Sequence, residues 1–207
     1  SAGGRRTARA CGAVIMAGAM DETNIPGALL QAMQAGAAVR GTTSPNPPVG
    51  AVILSATGAV VGIGATQPVG GAHAEVMALR AAGEKARGGT AVVTLEPCAH
   101  TGRTGPCATA LIDAGIARVF YLHPDPTPQA GGGAQALAAA GVEVGELTAP
   151  DGVEDAVYAW LRAVKLQRPH VTLKFAQTLD GFTAAADGTS QWITSPEARE
   201  WVHADRA

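Results

Sequence analysis

The residues able to do chemistry stand close together in the chain: His73-Ala74-Glu75, then Pro97-Cys98, then Cys107. One imidazole and two thiolates form a donor set that Zn2+ accepts, with a fourth position left for water. Glu75 lies two residues past His73, where a general acid/base for that water would stand. The spacing sets a geometric condition. In mid-helix, residues two apart diverge by roughly 200°, because each residue turns about 100°. His73 and Glu75 can therefore address one metal only if His73 precedes the first helical residue, and Gly70-Gly71 suits such an entry. Cys107 opens a second predicted helix. Two helix N-termini would favour the thiolate form through their dipoles.

Scattered histidines and cysteines are usually core or surface residues, and H-x-E alone is weak. Combined with Pro-Cys at a strand end and a second cysteine at a helix start, the set points to a catalytic zinc. The pattern H-x-E with P-C-x-x-C marks zinc deaminases. Here Cys107 follows Cys98 by nine positions rather than three.

Composition narrows the alternatives. With 47% hydrophobic and 15% charged residues, 207 positions hold enough apolar material for a sizeable core. A net charge of −2 and 4% aromatic residues offer no basic surface and no base-stacking platform, so nucleic acid is not an expected partner. No apolar run reaches the ~18 residues of a membrane span. Three cysteines are too few for a disulfide framework, and two are assigned to the metal, so a reducing, cytoplasmic setting is expected. The opening stretch has Arg5-Arg6 before the apolar Ala10 to Met16. It reads as a signal peptide, as a disordered Ala/Gly-rich extension over residues 1–24, or as upstream sequence foreign to the domain. Nothing else suits export, so the extension is the expectation, and Cys11 has no assigned role.

The elements that must hold the site follow from periodicity. Leu29, Leu30, Met33 and Ala37 predict a helix over 25–40, followed by the turn-rich loop 42–48. Strands are expected at 49–54, 58–65, 91–95, 118–122 and 142–144, and helices at 73–87, 107–114 and 134–140. A hairpin followed by alternating strands and helices means a three-layer α/β/α sandwich with its later strands parallel. Beyond Asp151, a connecting segment over 151–168 is helical to Gln167. Alternating Val171, Leu173 and Phe175 predict a strand over 170–176, with a second over 182–185 after the Asp180-Gly181 turn. Ser195-Pro196 starts a last helix. A domain begun at 169 cannot close a core by Ala207, so the chain reads as truncated there.

Several stretches carry a specific resemblance: Pro45-Asn46-Pro47-Pro48-Val49-Gly50, His73-Ala74-Glu75-Val76, Leu95-Glu96-Pro97-Cys98-Ala99-His100-Thr101-Gly102-Arg103-Thr104-Gly105-Pro106-Cys107, Asp125-Pro126, Thr178-Leu179-Asp180-Gly181 and Ser190-Gln191-Trp192-Ile193-Thr194. In order and spacing, the chain from about Ile25 resembles the bifunctional riboflavin-biosynthesis deaminase–reductases. The resemblance implies a cytidine-deaminase-like domain over 25–150 and the start of a dihydrofolate-reductase-like domain over 169–207. It implies hydrolysis of the 2-amino group of 2,5-diamino-6-ribosylamino-4(3H)-pyrimidinone 5′-phosphate, giving the ribosylaminouracil phosphate and ammonia. In a full-length protein it also implies NADPH-dependent reduction of the ribosyl group, which is not expected of this chain alone. Carried over by position, His73, Cys98 and Cys107 hold zinc and Glu75 shuttles protons. Asn46, His100 and Arg103 contact the deaminase substrate, Ala176 and Trp192 contact NADPH, and Lys174, Ser190 and Arg206 contact the reductase substrate. Many members carry a histidine seven residues before the ligand histidine, where this chain has Thr66. Homo-oligomers also fit the resemblance, since related sites are often completed across subunits.

Two other readings compete. One is a zinc deaminase for a free nucleoside, nucleotide or RNA base; the acidic balance and the cysteine spacing speak against RNA. The other is a non-enzymatic zinc module with a fourth protein ligand, for which His100 is the nearest candidate in sequence.

Overall fold

In the computed structural model, residues 24–100, 105–204 and 206 are described. The extension, including Cys11, and Arg103 lie outside them. A five-stranded sheet in the order β2-β1-β3-β4-β5 is built from Gly50–Leu54 (β1), Val60–Ala65 (β2), Thr90–Val93 (β3), Arg118–Tyr121 (β4) and Glu143–Glu146 (β5). β1 is antiparallel to β2 and to β3, while β3, β4 and β5 run parallel. Helices Ile25–Ala37 (α1), Ala74–Ala82 (α2), Cys107–Asp113 (α3) and Gly133–Ala139 (α4) cover its faces. Tyr158–Leu166 (α5) and Pro196–Ala204 (α6) follow.

The period-2 alternation of the strands separates two cores. Ala51 and Ile53 of β1, with Ala91 and Val93 of β3, pack with Ala74 and Ala78 of α2, Leu111 of α3 and Leu137 of α4. Val52, Leu54 and Val92 point the other way, onto Ala28, Leu29, Ala32 and Met33 of α1. This is the expected α/β/α layering.

α2 owes its position to missing side chains. Gly62 and Gly64 share one face of β2, and a Cβ on Gly64 would lie 2.3 Å from the Ala74 carbonyl oxygen and 2.4 Å from the Ala78 nitrogen. On Gly62 it would lie 2.2 Å from the Ala78 carbonyl oxygen. Backbone can approach backbone only because both are glycine. The helix is shorter than 73–87: Gly83 takes φ 55° at its C-cap, and a 3-10 turn, Gly83–Ala86, follows.

Three expectations need correction. α5 starts at Tyr158 rather than 151, because Gly152 adopts φ 73° and the Asp155 carboxylate accepts the Val157 N–H at 3.0 Å, holding a turn before the helix. No strands form over 170–176 or 182–185. The turn between them does close, with Gly181 N–H donating to the Thr178 carbonyl at 2.9 Å. However, Val171 and Leu173 stay 82% and 80% exposed. Alternation identifies which face could be buried, and without a covering layer a two-stranded ribbon has no core to sustain it. At α6, Ser195 Oγ accepts the Ala198 N–H at 3.2 Å, an N-cap at the expected place.

Candidate metal centre and its cavity

His73 is the N-cap of α2, with an extended backbone (φ −73°, ψ 163°), and its carbonyl accepts the first helical bond from Met77 at 3.1 Å. Standing outside the helix, its ring is free of the mid-helix divergence from Glu75, which lies in the first turn. Cys98 follows the loop after β3, and its carbonyl accepts the Ala108 N–H at 3.1 Å, tying it to α3. Cys107 is the first residue of α3, and its backbone N–H points at Cys98 Sγ, 3.4 Å away. Gly133 brings α4 up against the Pro97 carbonyl, where a Cβ would stand 1.7 Å away.

These elements gather the ligand atoms of His73, Cys98 and Cys107 within 4.8 Å of one another. His73 Nδ1 lies 3.2 Å from Cys107 Sγ and 3.7 Å from Cys98 Sγ. Tetrahedral zinc with Zn–N of about 2.0–2.1 Å and Zn–S of about 2.3 Å implies N···S edges of about 3.6 Å. The donor set fits zinc in both type and spacing. His100 is not part of the cluster, which removes the fourth-ligand argument for a purely structural zinc module.

The three groups lie within hydrogen-bonding reach of one another, which shifts their proton affinities. Hydrogen bonding with Cys107, and further with His73, pulls the Cys98 thiol below its usual range despite its burial. Donating to Cys98, together with burial, pushes Cys107 up. Hydrogen bonding to Cys98 raises His73, and burial opposes it. Burial pushes the Glu75 carboxyl, only 4% exposed, up to about 7.

A cavity of about 390 Å³ opens above the cluster, lined by His73, Glu75 and Cys98 and also by Asn46 and His100. Thr66 lines it too, but the hydroxyl is committed to Val49, whose N–H it accepts at 3.2 Å and whose carbonyl it faces at 3.4 Å. Lys174, Ala176, Ser190, Trp192 and Arg206 are not gathered at this cavity, nor in the groove formed by Arg162, Arg168 and His170. They lie along the exposed C-terminal stretch, Trp192 being 70% exposed.

Sequence reasoning gave no role to Glu96, Asp125, Thr127 or Trp160, all of which line the cavity. The Glu96 carboxylate, buried beside Cys98, accepts backbone N–H groups from Asp125 at 3.1 Å, Gly132 at 3.2 Å and Ala134 at 3.0 Å. Asp125 in turn accepts both the N–H (2.8 Å) and the hydroxyl (2.6 Å) of Thr127. A charged residue between an apolar strand and Pro-Cys was the available signal for Glu96.

Residues 27–123 match the family described as the cytidine and deoxycytidylate deaminase zinc-binding region, and residues 169–207 match the RibD C-terminal domain. The riboflavin biosynthesis protein RibD of Corynebacterium ammoniagenes is 69% identical over 179 residues, 86% of this chain and 53% of the relative. The chain belongs to the RibD family. The RibD of Mycobacterium tuberculosis H37Rv is 51% identical over 82% of this chain and 50% of its own length. Among solved structures, the Thermotoga maritima diaminohydroxyphosphoribosylaminopyrimidine deaminase/5-amino-6-(5-phosphoribosylamino)uracil reductase has a TM-score of 0.77 at 38% identity. That alignment covers 88% of this chain and 52% of that one. Acinetobacter baumannii RibD, form 1, has a TM-score of 0.74 at 44% identity, covering 87% and 51%. The chain thus spans about half the length of the RibD proteins it matches.

Proposed function

We propose that this chain performs the deaminase step of riboflavin biosynthesis, releasing ammonia from the 2-amino group of 2,5-diamino-6-ribosylamino-4(3H)-pyrimidinone 5′-phosphate. The observation that carries this reading is the His73, Cys98 and Cys107 cluster, with buried Glu75 beside it on the floor of a cavity large enough for a pyrimidine. His73, Cys98 and Cys107 would hold zinc, which when bound supplies Lewis acidity and lowers the pKa of water from about 15.7 to near 7.

The chain's own residues divide the remaining work. A Glu75 carboxylate oxygen takes a proton from the attacking water as the new C–O bond forms at the ring carbon carrying the amine. It gives that proton to the adjacent ring nitrogen, then takes the proton of the new hydroxyl and passes it to the departing amine, so that C–N cleavage releases ammonia and leaves the ring carbonyl. One carboxylate can serve both uptakes and both deliveries because they are sequential, and burial brings its proton affinity close to neutrality, where acid and base roles balance. Asn46 and His100 would hydrogen-bond the ring edge, a role supported by their lining the cavity. Arg103, outside the described residues, is assigned to the substrate phosphate, which a guanidinium can grip with two N–H groups.

The test is an assay of ammonia release from this ribotide, from cytidine and from dCMP, with wild type beside Glu75→Ala. The expected result is turnover of the ribotide, and a loss of about 10²–10⁴-fold in the variant with its zinc retained. Turnover of cytidine alone would overturn the substrate assignment, and an active variant would exclude the carboxylate shuttle. NADPH-dependent reduction, with contacts from Lys174, Ala176, Ser190, Trp192 and Arg206, belongs in this reading to the longer RibD protein.

A further inference from the structure

The cavity is not closed by the zinc-binding region alone. Trp160, on α5 and beyond the matched residues 27–123, forms part of its wall. Its indole Nε1–H donates to the Pro45 carbonyl at 3.1 Å, across 115 positions of sequence. Pro45 precedes Asn46, and this loop is gripped from its other side by Thr43. The Asn46 N–H donates to the Thr43 carbonyl at 2.9 Å, and Thr43 Oγ1 donates to the Asn46 carbonyl at 2.9 Å. Thr43 is buried, and the Trp160 bond holds the same loop through Pro45.

α5 is itself anchored. Val157 and Leu161 pack into the larger core, and the Asp155 carboxylate, just before the helix, bonds His123 Nε2 at 2.6 Å after β4. A connected path therefore runs from the end of β4 through Asp155 and α5 to Trp160, Pro45 and Asn46. A tryptophan serving only as core filler would bury its ring and satisfy its N–H anywhere. This one is half-buried, stands on the cavity wall and spends its single donor on the loop that carries Asn46.

We propose that Trp160 is a positioning residue for the deaminase substrate. It walls the cavity and fixes the Pro45-Asn46-Pro47 loop, making ring recognition depend on a helix outside the zinc-binding region. The proposal rests on the deaminase reading above.

The experiment compares wild type, Trp160→Phe and Trp160→Ala by steady-state ammonia release from the diaminopyrimidine ribotide, with zinc content and thermal melts recorded for each. Phenylalanine keeps the aromatic wall and removes one hydrogen bond. The expected result is a KM raised about two- to tenfold, with kcat, zinc content and Tm close to wild type. Alanine removes the wall as well and raises KM further. An unchanged KM in Trp160→Phe overturns the proposal, as does a fall in kcat that tracks lost zinc or lost stability. A wild type that releases no ammonia sinks the deaminase reading and this inference with it, whereas an active wild type with an indifferent Trp160→Phe sinks the inference alone.

Discussion

His73 Nδ1 stands 3.2 Å from Cys107 Sγ although 34 positions of chain separate them. The contact joins the start of α2 to the start of α3, and Cys98 completes it from the loop after β3. Three elements thus meet at one point, and a metal bound there stabilises the fold by its own binding free energy. At free zinc about 100-fold above Kd, that linkage is worth about 2.7 kcal/mol. Chelation should lower Tm by roughly 5–10 °C for a chain of this size. Added zinc should restore it in wild type but not in Cys107→Ser. A calorimetric melt indifferent to chelator would show that the cluster holds no metal.

Glu96 gives a second expectation. Its carboxylate satisfies three backbone N–H groups of the 125–134 segment, which carries the cavity residues Asp125, Thr127 and Ala130. Glu96→Ala leaves those donors unpaired, at about 1–3 kcal/mol for each one that water does not reach. Glu96→Gln keeps one carbonyl acceptor and should fall between wild type and alanine. Urea midpoints of the three proteins give the order. Equal midpoints for alanine and glutamine would mean that the segment is held by something else.

The difference between what could and could not be read beforehand lies in how far apart the partners are. The His73 and Glu75 arrangement was legible because a two-residue spacing on a helix admits one solution, an N-cap. The layered sheet was legible because a hairpin followed by strands alternating with helices admits few arrangements, and uninterrupted apolar strands such as β1 and β3 need cover on both faces. Glu96 and Trp160 were not, since their partners lie 29 to 38 and 115 positions away and no local pattern announces them. The strands expected at 170–176 and 182–185 failed for a related reason. Val171, Leu173 and Phe175 alternate correctly, yet nothing among the described residues covers them.

Gly64 supports the centre without touching it. Any side chain there meets the α2 backbone at Ala74 and Ala78, and a backbone cannot yield as a side-chain tip can. Gly64→Ala must therefore push α2 off the sheet and carry His73 and Glu75 with it. Overpacking of this kind costs about 1–3 kcal/mol, and the backbone contact places this case at the upper end or beyond. The expected outcome is a lower urea midpoint together with weaker zinc binding in a competition titration. A variant that binds zinc like wild type would show that α2 can shift without moving the ligands.

Asp155 sets part of the acid limit of stability. Burial pushes its carboxyl up, but the hydrogen bond and charge of His123, together with the backbone N–H groups of Val157 and Tyr158, outweigh that and hold it below its usual 3.8. The sign follows from the folded state binding the proton less readily than the unfolded chain. The contribution is fully present above the unfolded carboxylate pKa of about 3.9 and is lost as pH falls through the lower folded value. Asp155→Asn cannot carry the charge, so it should melt below wild type at pH 6, with the gap closing as pH falls from about 5 toward 3. Acid release of metal from the cysteines acts on both proteins alike and cancels in the comparison. The measurement is Tm against pH for the pair. A gap that stays constant across that window would mean that Asp155 acts through packing alone, and that α5 is seated without help from its charge.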